Sequence, residues 1–341
     1  MGQGSKINVA VVGATGAVGS EMLSILEARE FPVAALRAFA SSRSAGQEVR
    51  FRGKAVTVEP LEPGCFDGVR IALFSAGGPV SAEWAPQAGE SGAVVIDNTS
   101  RFRMDEDVPL VVPEVNPRAI DALPARRIIA NPNCSTIQLV VALKPLHDAA
   151  EIRRVVVATY QAVSGAGRSA MEELSRQVVD LYNNRGVTIE RFPHQIAFNC
   201  VPQIDAAMDD GSFKEEWKMV EETKKILDPA IRVTATCVRV PVFSGHSEAV
   251  WLETGKALEP DTARELLASF PGLELLDAPG EARYPMALVA AGTDPVYVGR
   301  IRKDPSVPNG LALWIVSDNL RKGAALNAVQ IAELVAEKHP G

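Results

Sequence analysis

The sequence predicts two domains of different classes: an α/β domain built on a doubly wound parallel sheet, then an α+β domain with a mixed or mostly antiparallel sheet. Three observations predict this. A glycine-rich turn joins the first apolar strand to the first helix, strands and helices alternate to about residue 133, and from residue 153 β-branched strands follow a different plan. With 341 residues the chain is also too long for one ordinary hydrophobic core.

The first strand, residues 6–12, runs directly into GATGAVG at residues 13–19, and a helix follows to about residue 28. Glycines in such a turn let the backbone approach a pyrophosphate, while the N-terminus of the helix supplies N–H donors. The pattern G-x-x-G-x-x-G between a strand and a helix therefore predicts a Rossmann-type dinucleotide site near the start of the chain.

The second strand, residues 35–40, ends in the polar segment SSRS at residues 41–44. A site for NAD normally carries an acidic residue here for the ribose 2′-hydroxyl, whereas an arginine suits the 2′-phosphate of NADP. Arg43 therefore favours NADP over NAD. A polar loop with one exposed arginine is the alternative interpretation.

Further buried strands at residues 69–75 and 93–97 continue the α/β pattern. Ligands of doubly wound sheets bind at the carboxyl ends of the strands. The loop after the strand at 93–97 carries Arg101 and Arg103, which are candidates for an anion clamp or simply solvated loop charges. Spacing alone does not separate the two arginines.

The segment NPNCST at residues 131–136 lies between a short apolar strand, residues 127–130, and a helix that extends to about residue 147. Asn133 is a good N-cap, which places Cys134 in the first turn of this helix. Free N–H groups and the positive end of the helix dipole favour a thiolate there and could hold an oxyanion. Cys134 is therefore a candidate nucleophile; a small buried residue at a strand-to-helix turn is the alternative.

The second domain begins with a strand near residues 155–160, a loop at 161–167 that contains two glycines, and a helix at 169–181. A charged helix follows from about residue 213 to 228. Four more strands predict the sheet, at residues 231–240, 248–253, 296–302 and 311–317. The last helix is apolar on most sides and is expected to pack on the first domain. The predicted division is 1–133 with 319–341 for the dinucleotide domain, and 134–318 for the catalytic and dimerisation domain.

Composition excludes several classes of protein. The chain is 47% hydrophobic and 23% charged with a net charge of -7, so no basic excess is available for nucleic acid. No apolar run reaches membrane-spanning length, and no signal pattern opens the chain. The four cysteines and four histidines show neither a C-x-x-C pair nor metal-ligand spacing. We expect a cytoplasmic protein with no membrane, nucleic-acid or metal partner.

Taken in order, the motifs resemble aspartate-β-semialdehyde dehydrogenase of the bacterial type. The resemblance extends over essentially the whole chain, and no position that should carry chemistry departs from it. The matching segments are GATGAVG (13–19), FASSRSAG (39–46), FRMDEDVPLVVPEVN (102–116), NPNCST (131–136), QAVSGAG (161–167), EEWKM (215–219), RVPVFSGHSE (239–248) and SDNLRKGAALNAVQIAE (317–333).

The resemblance implies a reaction and an assembly. The reaction is the reversible, NADP(H)-dependent reductive dephosphorylation of L-aspartyl-4-phosphate to L-aspartate-4-semialdehyde, through a covalent cysteine thioester. It belongs to the biosynthesis of lysine, threonine, methionine and diaminopimelate. The implied assembly is a homodimer of two-domain subunits built like glyceraldehyde-3-phosphate dehydrogenase, with the C-terminal helix completing the first domain.

The resemblance also assigns the catalytic residues. Cys134 is the nucleophile, His246 is an acid or base with a pKa of about 7, and Gln161 orients the acyl intermediate. Cys237 shares a strand face with Arg239 by alternation, and it is given no role.

Substrate and cofactor residues follow in the same way. Arg239 grips the α-carboxylate, Glu215 pairs with the ammonium, and Arg103 and Lys218 receive the phosphate. Without the resemblance, a structural ion pair between Glu215 and Lys218 would be the preferred interpretation. The cofactor residues are Gly13, Thr15, Gly16, Ala17, Val18, Ser41, Arg43, Ser44, Ser164, Gly165 and Asn319.

Two other functions fit parts of the sequence. An N-acetyl-γ-glutamyl-phosphate reductase would use the same chemistry on a substrate whose nitrogen is acylated, and Glu215 argues against it because a blocked nitrogen has no charge. A catalytically silent NADP-binding paralogue is the third hypothesis. The joint presence of Cys134, Gln161, Arg239 and His246 disfavours it.

Overall fold

The computed structural model describes residues 6–340 and divides the chain into two compact units. Unit 1 contains the chain up to Asn133 and resumes at Ala324, whereas unit 2 runs from Cys134 to Gly323. The return to unit 1 thus begins later than the predicted residue 319. The reason is that Asn319 bonds to Ser164 within unit 2 and that Gly323 lies against Cys134. The predicted domain limits at residues 1–5 and 341 lie outside the described residues.

Unit 1 is built on a seven-stranded sheet with the order β3-β4-β2-β1-β5-β6-β7. Its central strand β1 is apolar and buried at five of its six positions, as a strand covered on both faces must be. All pairs are parallel except the β3–β4 hairpin, so the predicted doubly wound sheet is confirmed. The strands are β1 (Ile7–Val12), β2 (Val33–Phe39), β3 (Glu48–Phe51), β4 (Lys54–Glu59), β5 (Ile71–Phe74), β6 (Val94–Asp97) and β7 (Ile128–Ala130).

The neighbours of β1 are β2 on one side and β5 on the other, which makes this the point where the strand order reverses. Ligands of such sheets bind beside that reversal, at the carboxyl ends of the strands. The helices of unit 1 are α1 (Ala17–Ala28), α2 (Gly78–Glu90) and α8 (Leu326–Lys338).

Helix α8 belongs to the core of unit 1, as the sequence predicted. Val329 and Ile331 of α8 are fully buried in the same apolar cluster as Leu26 of α1. At the surface, Arg29, which follows α1, and Glu333 of α8 form an ion pair of 2.7 Å. The late segment of the chain therefore covers one face of the dinucleotide sheet.

Unit 2 contains a six-stranded sheet with the order β11-β12-β13-β10-β8-β9. Three pairs are antiparallel, whereas β8–β9 and β11–β12 are parallel, so the sheet is mixed. Its strands are β8 (Ile152–Gln161), β9 (Arg232–Arg239), β10 (His246–Thr254), β11 (Leu273–Leu275), β12 (Val296–Asp304) and β13 (Gly310–Ser317). Its helices are α3 (Cys134–Ala150), α4 (Arg168–Tyr182), α5 (Lys214–Ile226), α6 (Pro260–Ser269) and α7 (Ala287–Ala290).

The two faces of this sheet differ. Helix α3, buried along most of its length, packs against β10 and β13 on one face. On the other face, Tyr160 and Trp251 are 40% and 36% exposed, and the Tyr160 and Trp314 rings lie 5.4 Å apart. One face therefore positions α3, and the other leaves aromatic side chains uncovered.

Candidate active site

Cys134 is the first residue of α3, at the point where the chain leaves β7 and enters unit 2. Among the described residues it forms no disulfide; it is half-buried, and no acidic residue occupies the first turn of the helix. A side chain at Gly323 would bring a Cβ atom within 3.0 Å of the Cys134 Cβ. The cysteine is therefore accessible but closely confined by the backbone at Gly323.

His246 is the first residue of β10 and is fully buried. Its Nδ1 accepts a hydrogen bond of 3.0 Å from the Ala162 backbone N–H. This bond assigns the ring proton to Nε2, which has no hydrogen-bond partner among the described residues. Burial, followed by the positive charge of Arg239, lowers the pKa of His246 to about 3. The pKa of about 7 predicted from the sequence is therefore too high, and the buried imidazole is a neutral donor.

Gly165 leaves open the space beside His246. A Cβ atom at this position would lie 3.0 Å from Arg239 Nη1 and 3.2 Å from His246 Nε2. Gly165 itself is exposed, whereas the two side chains behind it are buried. The glycine therefore provides the approach from solvent to both polar groups.

Arg239 is the last residue of β9 and pairs in register with Gln161 on β8. Its Nη1 donates a hydrogen bond of 2.7 Å to the Ala162 carbonyl oxygen. Burial lowers the pKa of Arg239, although the nearby Glu215 and Cys134 act in the opposite direction. A guanidinium remains charged in proteins, so the site holds a buried cation close to Cys134.

Gln161, Glu215 and Lys218 form one hydrogen-bonded group. Gln161 Nε2 donates to Glu215 Oε1 at 3.0 Å, and Lys218 Nζ donates to Glu215 Oε2 at 3.1 Å. Thr159 Oγ1 donates to Gln161 Oε1 at 3.1 Å and fixes the orientation of the amide. The shared helix face predicted for positions 215 and 218 is present, and the two residues do form the ion pair considered as an alternative.

Lys218 has a second carboxylate partner, Asp205, at 2.7 Å. Burial alone would lower the pKa of Lys218, but Glu215 and Asp205 outweigh burial and raise the pKa. Sequence reasoning missed Asp205, which lies in an irregular loop at a positive φ of 69° and belongs to no motif.

Glu216 and Cys237, which lie beside the hydrogen-bonded group of Gln161, Glu215 and Lys218, form contacts that stabilise the fold. Glu216 Oε1 accepts a hydrogen bond of 2.9 Å from the Cys237 backbone N–H, which joins α5 to β9. The Cys237 sulfur lies 3.6 Å from Met219 Sδ, and burial raises the pKa of the Cys237 thiol. These contacts indicate that Glu216 and Cys237 have structural roles.

Ser164 and Asn319 meet in the same unit. The Asn319 amide nitrogen donates to Ser164 Oγ at 2.9 Å, and Asn319 Oδ1 accepts from the Gly245 N–H at 3.0 Å. Both side chains are buried. Since Gly245 immediately precedes His246, these bonds fix the backbone that enters β10.

In unit 1, the turn between β1 and α1 has the geometry expected of a pyrophosphate site. Gly13 has a φ of +91°, and a Cβ atom there would lie only 2.7 Å from the Ser75 carbonyl oxygen, so only glycine fits. Helix α1 begins at Ala17 without a side-chain cap on its N-terminus. Thr15 and Val18 are half-buried and Gly16 is exposed, so this turn is open to a phosphate group.

The loop after β2 holds the residues predicted to contact a 2′-phosphate. Ser41 and Arg43 are exposed, Ser44 is half-buried, and the Ser44 N–H donates to the Ser41 carbonyl oxygen at 2.8 Å. Within residues 6–340, Arg43 forms no ion pair. A flexible, exposed guanidinium of this kind fits a phosphate ligand.

The structure separates the two arginines that spacing left equivalent. Arg103 is buried at the carboxyl end of β6, where its Nη2 donates to the Asn98 carbonyl oxygen at 2.9 Å. Arg101 is exposed and lies 3.8 Å from Asp105. Arg103 is therefore the arginine that the loop holds in a fixed position.

The described residues contain neither a cluster of metal ligands nor a membrane-spanning helix. Within residues 6–340, no group of three or more His, Cys, Asp or Glu side chains could hold a metal ion. No helix in the same part of the chain combines the length and apolar character needed to span a bilayer.

A dinucleotide-binding sheet, joined to a second domain that carries a cysteine at a helix start, defines the class of two-domain nucleotide-linked dehydrogenases. Residues 8–123 match the family described as semialdehyde dehydrogenase, NAD binding domain, and residues 143–322 match semialdehyde dehydrogenase, dimerisation domain. The chain belongs to the aspartate-semialdehyde dehydrogenase family, which confirms the prediction from its motifs.

Three known proteins illustrate the similarity. Aspartate-semialdehyde dehydrogenase of Aquifex aeolicus is 55% identical over 97% of this chain and 98% of its own. The structure of aspartate semialdehyde dehydrogenase II complexed with ASA from Vibrio cholerae is 54% identical with a TM-score of 0.96, over 98% of this chain and 99% of that one. A Candida albicans enzyme with NADP is 26% identical with a TM-score of 0.79, over 99% and 100% of the chains.

Proposed function

We propose that this chain catalyses the reversible, NADP-dependent conversion of L-aspartyl-4-phosphate into L-aspartate-4-semialdehyde and phosphate. The reaction would serve the biosynthesis of lysine, threonine, methionine and diaminopimelate. The observation that carries the proposal is the buried group in unit 2, where Arg239, Glu215 and Gln161 lie together and Arg239 also neighbours Cys134. The Vibrio cholerae relative in complex with ASA supports this choice of substrate.

The charges of the site match those of an aspartyl group. The guanidinium of Arg239 can bind the α-carboxylate through two N–H donors, and Glu215 can pair with the α-ammonium. Because both side chains are buried, each interaction would be stronger than at the surface. Lys218 and Arg103 would receive the phosphate group, and Lys218 would then exchange a carboxylate partner for the phosphate.

Covalent catalysis would begin at Cys134. Its thiolate attacks the acyl carbon, a C–S bond forms, the bond from that carbon to the phosphate oxygen breaks, and phosphate leaves with the electron pair. A thioester of the aspartyl group remains. The backbone N–H groups of the first turn of α3 would stabilise the oxyanion of each tetrahedral species.

The neutral His246 would act through its Nε2–H. Because Nδ1 is occupied by the Ala162 N–H, the ring presents a proton to the substrate oxygen rather than a basic nitrogen. This donor would stabilise the negative charge that develops on oxygen after attack and after reduction. Collapse of the reduced species then breaks the C–S bond, releasing the aldehyde and restoring the thiolate.

NADPH, when bound, would supply the hydride that reduces the acyl carbon. The turn at Gly13, Thr15, Gly16, Ala17 and Val18 would hold its pyrophosphate, and Ser41, Arg43 and Ser44 would hold its 2′-phosphate. Ser164, Gly165 and Asn319 would line the end of the site in unit 2. The NADP-bound Candida albicans relative supports NADP over NAD.

We also propose that the chain forms a homodimer through the open face of the unit 2 sheet. The exposed Trp251 lies on this face, and Trp314 and Met286 line a groove of about 580 Å³ beside it. Exposed aromatic side chains on a sheet face are typical of an interface. The family description of this region as a dimerisation domain supports the assignment.

One assay tests the proposed reaction. Aspartate semialdehyde, NADP and phosphate or arsenate should give NADPH with the unaltered chain, and none above background with Cys134→Ala, since this variant lacks the sulfur that forms the proposed thioester. Cys200→Ala is the matched control, because Cys200 is an exposed free thiol. Undiminished turnover in Cys134→Ala would contradict the mechanism. A preference for the N-acetylglutamyl substrate over the aspartyl one would contradict the substrate.

A further inference from the structure

A pair of buried polar side chains lies behind the helix that carries Cys134. Glu248 of β10 and Gln138 of α3 are both fully buried. Among the described residues, no hydrogen bond of good geometry reaches either carboxyl oxygen of Glu248 or the amide nitrogen of Gln138. The Gln138 amide nevertheless lies close enough to the Glu248 carboxyl to act on it. Gln138 Oε1, in contrast, accepts a hydrogen bond of 2.7 Å from Ser317 Oγ.

The protonation state of Glu248 follows from this environment. Burial raises the pKa of Glu248 well above its usual range, and the neighbouring Gln138 amide opposes the rise only in part. Burial therefore favours the protonated form of the carboxyl group. A protonated carboxyl both donates and accepts, so it can pair with either atom of the Gln138 amide.

These three residues connect the elements that carry Cys134 and His246. Gln138 follows Cys134 by four residues on α3, which places both on one side of the helix. Glu248 follows His246 by two residues on β10, which places both on one face of the strand. Ser317 lies directly opposite His246 in the β10–β13 pairing. The polar group thus lies one structural repeat further along each of the two elements, α3 and β10, that carry Cys134 and His246.

Stability does not account for a carboxyl at this position. Val250 and Leu252 continue the same buried face of β10, and both are apolar. Burying a polar group without a good hydrogen bond destabilises the folded state, so a leucine would suit such a core better. A buried polar link instead fixes how two elements pack, because only one register lets its members pair.

We propose that Glu248 is a positioning residue that acts through Gln138: the link Glu248–Gln138–Ser317 fixes α3 against β10 and β13, and so holds Cys134 in register with His246. This inference rests on the proposed roles of Cys134 and His246. It assigns no contact between Glu248 and the substrate.

The test compares Glu248→Leu, Glu248→Gln and Val250→Ala with the unaltered chain. Leucine removes the link but keeps the volume, glutamine restores a donor and an acceptor, and Val250→Ala loosens the same packing without touching the link. The readouts are kcat, KM for the aldehyde, the thermal midpoint, and the rate at which iodoacetate alkylates Cys134.

Glu248→Leu should lower kcat about tenfold through misplacement of the reacting groups, with KM little changed. Its thermal midpoint should stay at or above that of the unaltered chain, and the alkylation rate of Cys134 should change. Glu248→Gln should recover most of kcat and the original alkylation rate. Val250→Ala should lower the thermal midpoint while it keeps kcat.

Two results would overturn the inference. One is a Glu248→Leu protein with unaltered kcat and alkylation rate. The other is a loss of kcat that Val250→Ala shares in proportion to its lower thermal midpoint. Failure of the proposed function would look different, because the unaltered chain itself would then lack turnover. The alkylation rate, which needs no substrate, would still decide whether Glu248 positions Cys134.

Discussion

The two units present their candidate binding groups in opposite ways. In unit 2, His246, Arg239, Gln161 and Glu215 are all less than 9% exposed, and each of them forms a hydrogen bond within that unit. In unit 1, the turn at residues 13–19 offers mainly backbone N–H groups, and Arg43 reaches from an exposed loop. One site is buried and internally bonded, whereas the other is open.

This difference reflects what each site must do. A site that stabilises charge during bond formation benefits from low dielectric and from donors that are already oriented. A dinucleotide brings its own charges, and a helix N-terminus with a few cations is sufficient to bind them. Changes in the buried group of unit 2 should therefore alter turnover, and changes in the open dinucleotide site of unit 1 should alter the choice and affinity of the cofactor.

Among the variants that test this difference between the units, the largest effect is expected from Gly165→Ala. The new Cβ would lie 3.0 Å from Arg239 Nη1 and 3.2 Å from His246 Nε2, and both side-chain ends would have to move. We expect kcat/KM to fall about 100-fold, since catalytic geometry tolerates little displacement, while the thermal midpoint stays near that of the unaltered chain. Steady-state kinetics and calorimetry measure the two.

Gly186→Ala is the matched control for that variant, because a Cβ atom at Gly186 meets nothing within 4 Å. It should keep full activity. Unaltered kinetics in Gly165→Ala would show that the space beside His246 is not used by the substrate, and the contrast between the units would then lose its main support.

A smaller effect is expected from Arg43→Ala in unit 1. Loss of one charged hydrogen-bond donor to the 2′-phosphate should raise KM for NADPH about tenfold and leave KM for NADH and kcat nearly unchanged. Arg101→Ala removes an exposed arginine of the same unit and should change none of these. An equal loss with both cofactors would show that Arg43 does not read the 2′-phosphate.

Much of what distinguishes the two units could be predicted from the sequence, because it depends on residues that are neighbours in the chain. The glycine turn at residues 13–19 and the placement of Cys134 at a helix start follow from patterns of neighbouring residues. The hairpin β3–β4 was not predicted, although Val49 and Phe51 on β3 and Val56 and Val58 on β4 recur at every second position; the two strands are only four and six residues long. The short helix α6 and strand β11 were missed as well.

The properties that depend on tertiary surroundings could not be predicted. The pKa predicted for His246 was too high, because burial and the charge of Arg239, which lies on a different strand, both oppose protonation. Asp205, which forms an ion pair with Lys218, lies in a loop that matches no motif, so the sequence did not indicate it. Glu248 had a usable signal, since period-2 alternation places it on the same face as Val250 and Leu252, where a carboxyl is out of place.

The smallest effect on turnover, and a distinct effect on stability, is expected from Glu248→Gln. An unfolded chain ionises this carboxyl above its ordinary pKa of 4.5, whereas burial raises the pKa in the folded protein and keeps the proton bound. The folded state thus binds more protons near neutral pH, so this group makes the protein less stable as pH rises above 4.5. Glutamine cannot ionise in either state, so the stability of the variant lacks this dependence on pH.

The advantage in unfolding free energy of Glu248→Gln over the unaltered chain should therefore grow from pH 5 to pH 7, by at most about 1.4 kcal/mol per pH unit. The contribution of His246 to the pH dependence of stability has the opposite sign, because its lowered pKa favours the folded state as pH rises from about 3 to 6.5. Both proteins share His246, so its contribution cancels in the difference. Calorimetric midpoints of the two proteins at both pH values measure the effect. A difference that does not change with pH would mean that Glu248 titrates alike in the folded and unfolded states, and that the buried site in unit 2 includes a carboxylate after all.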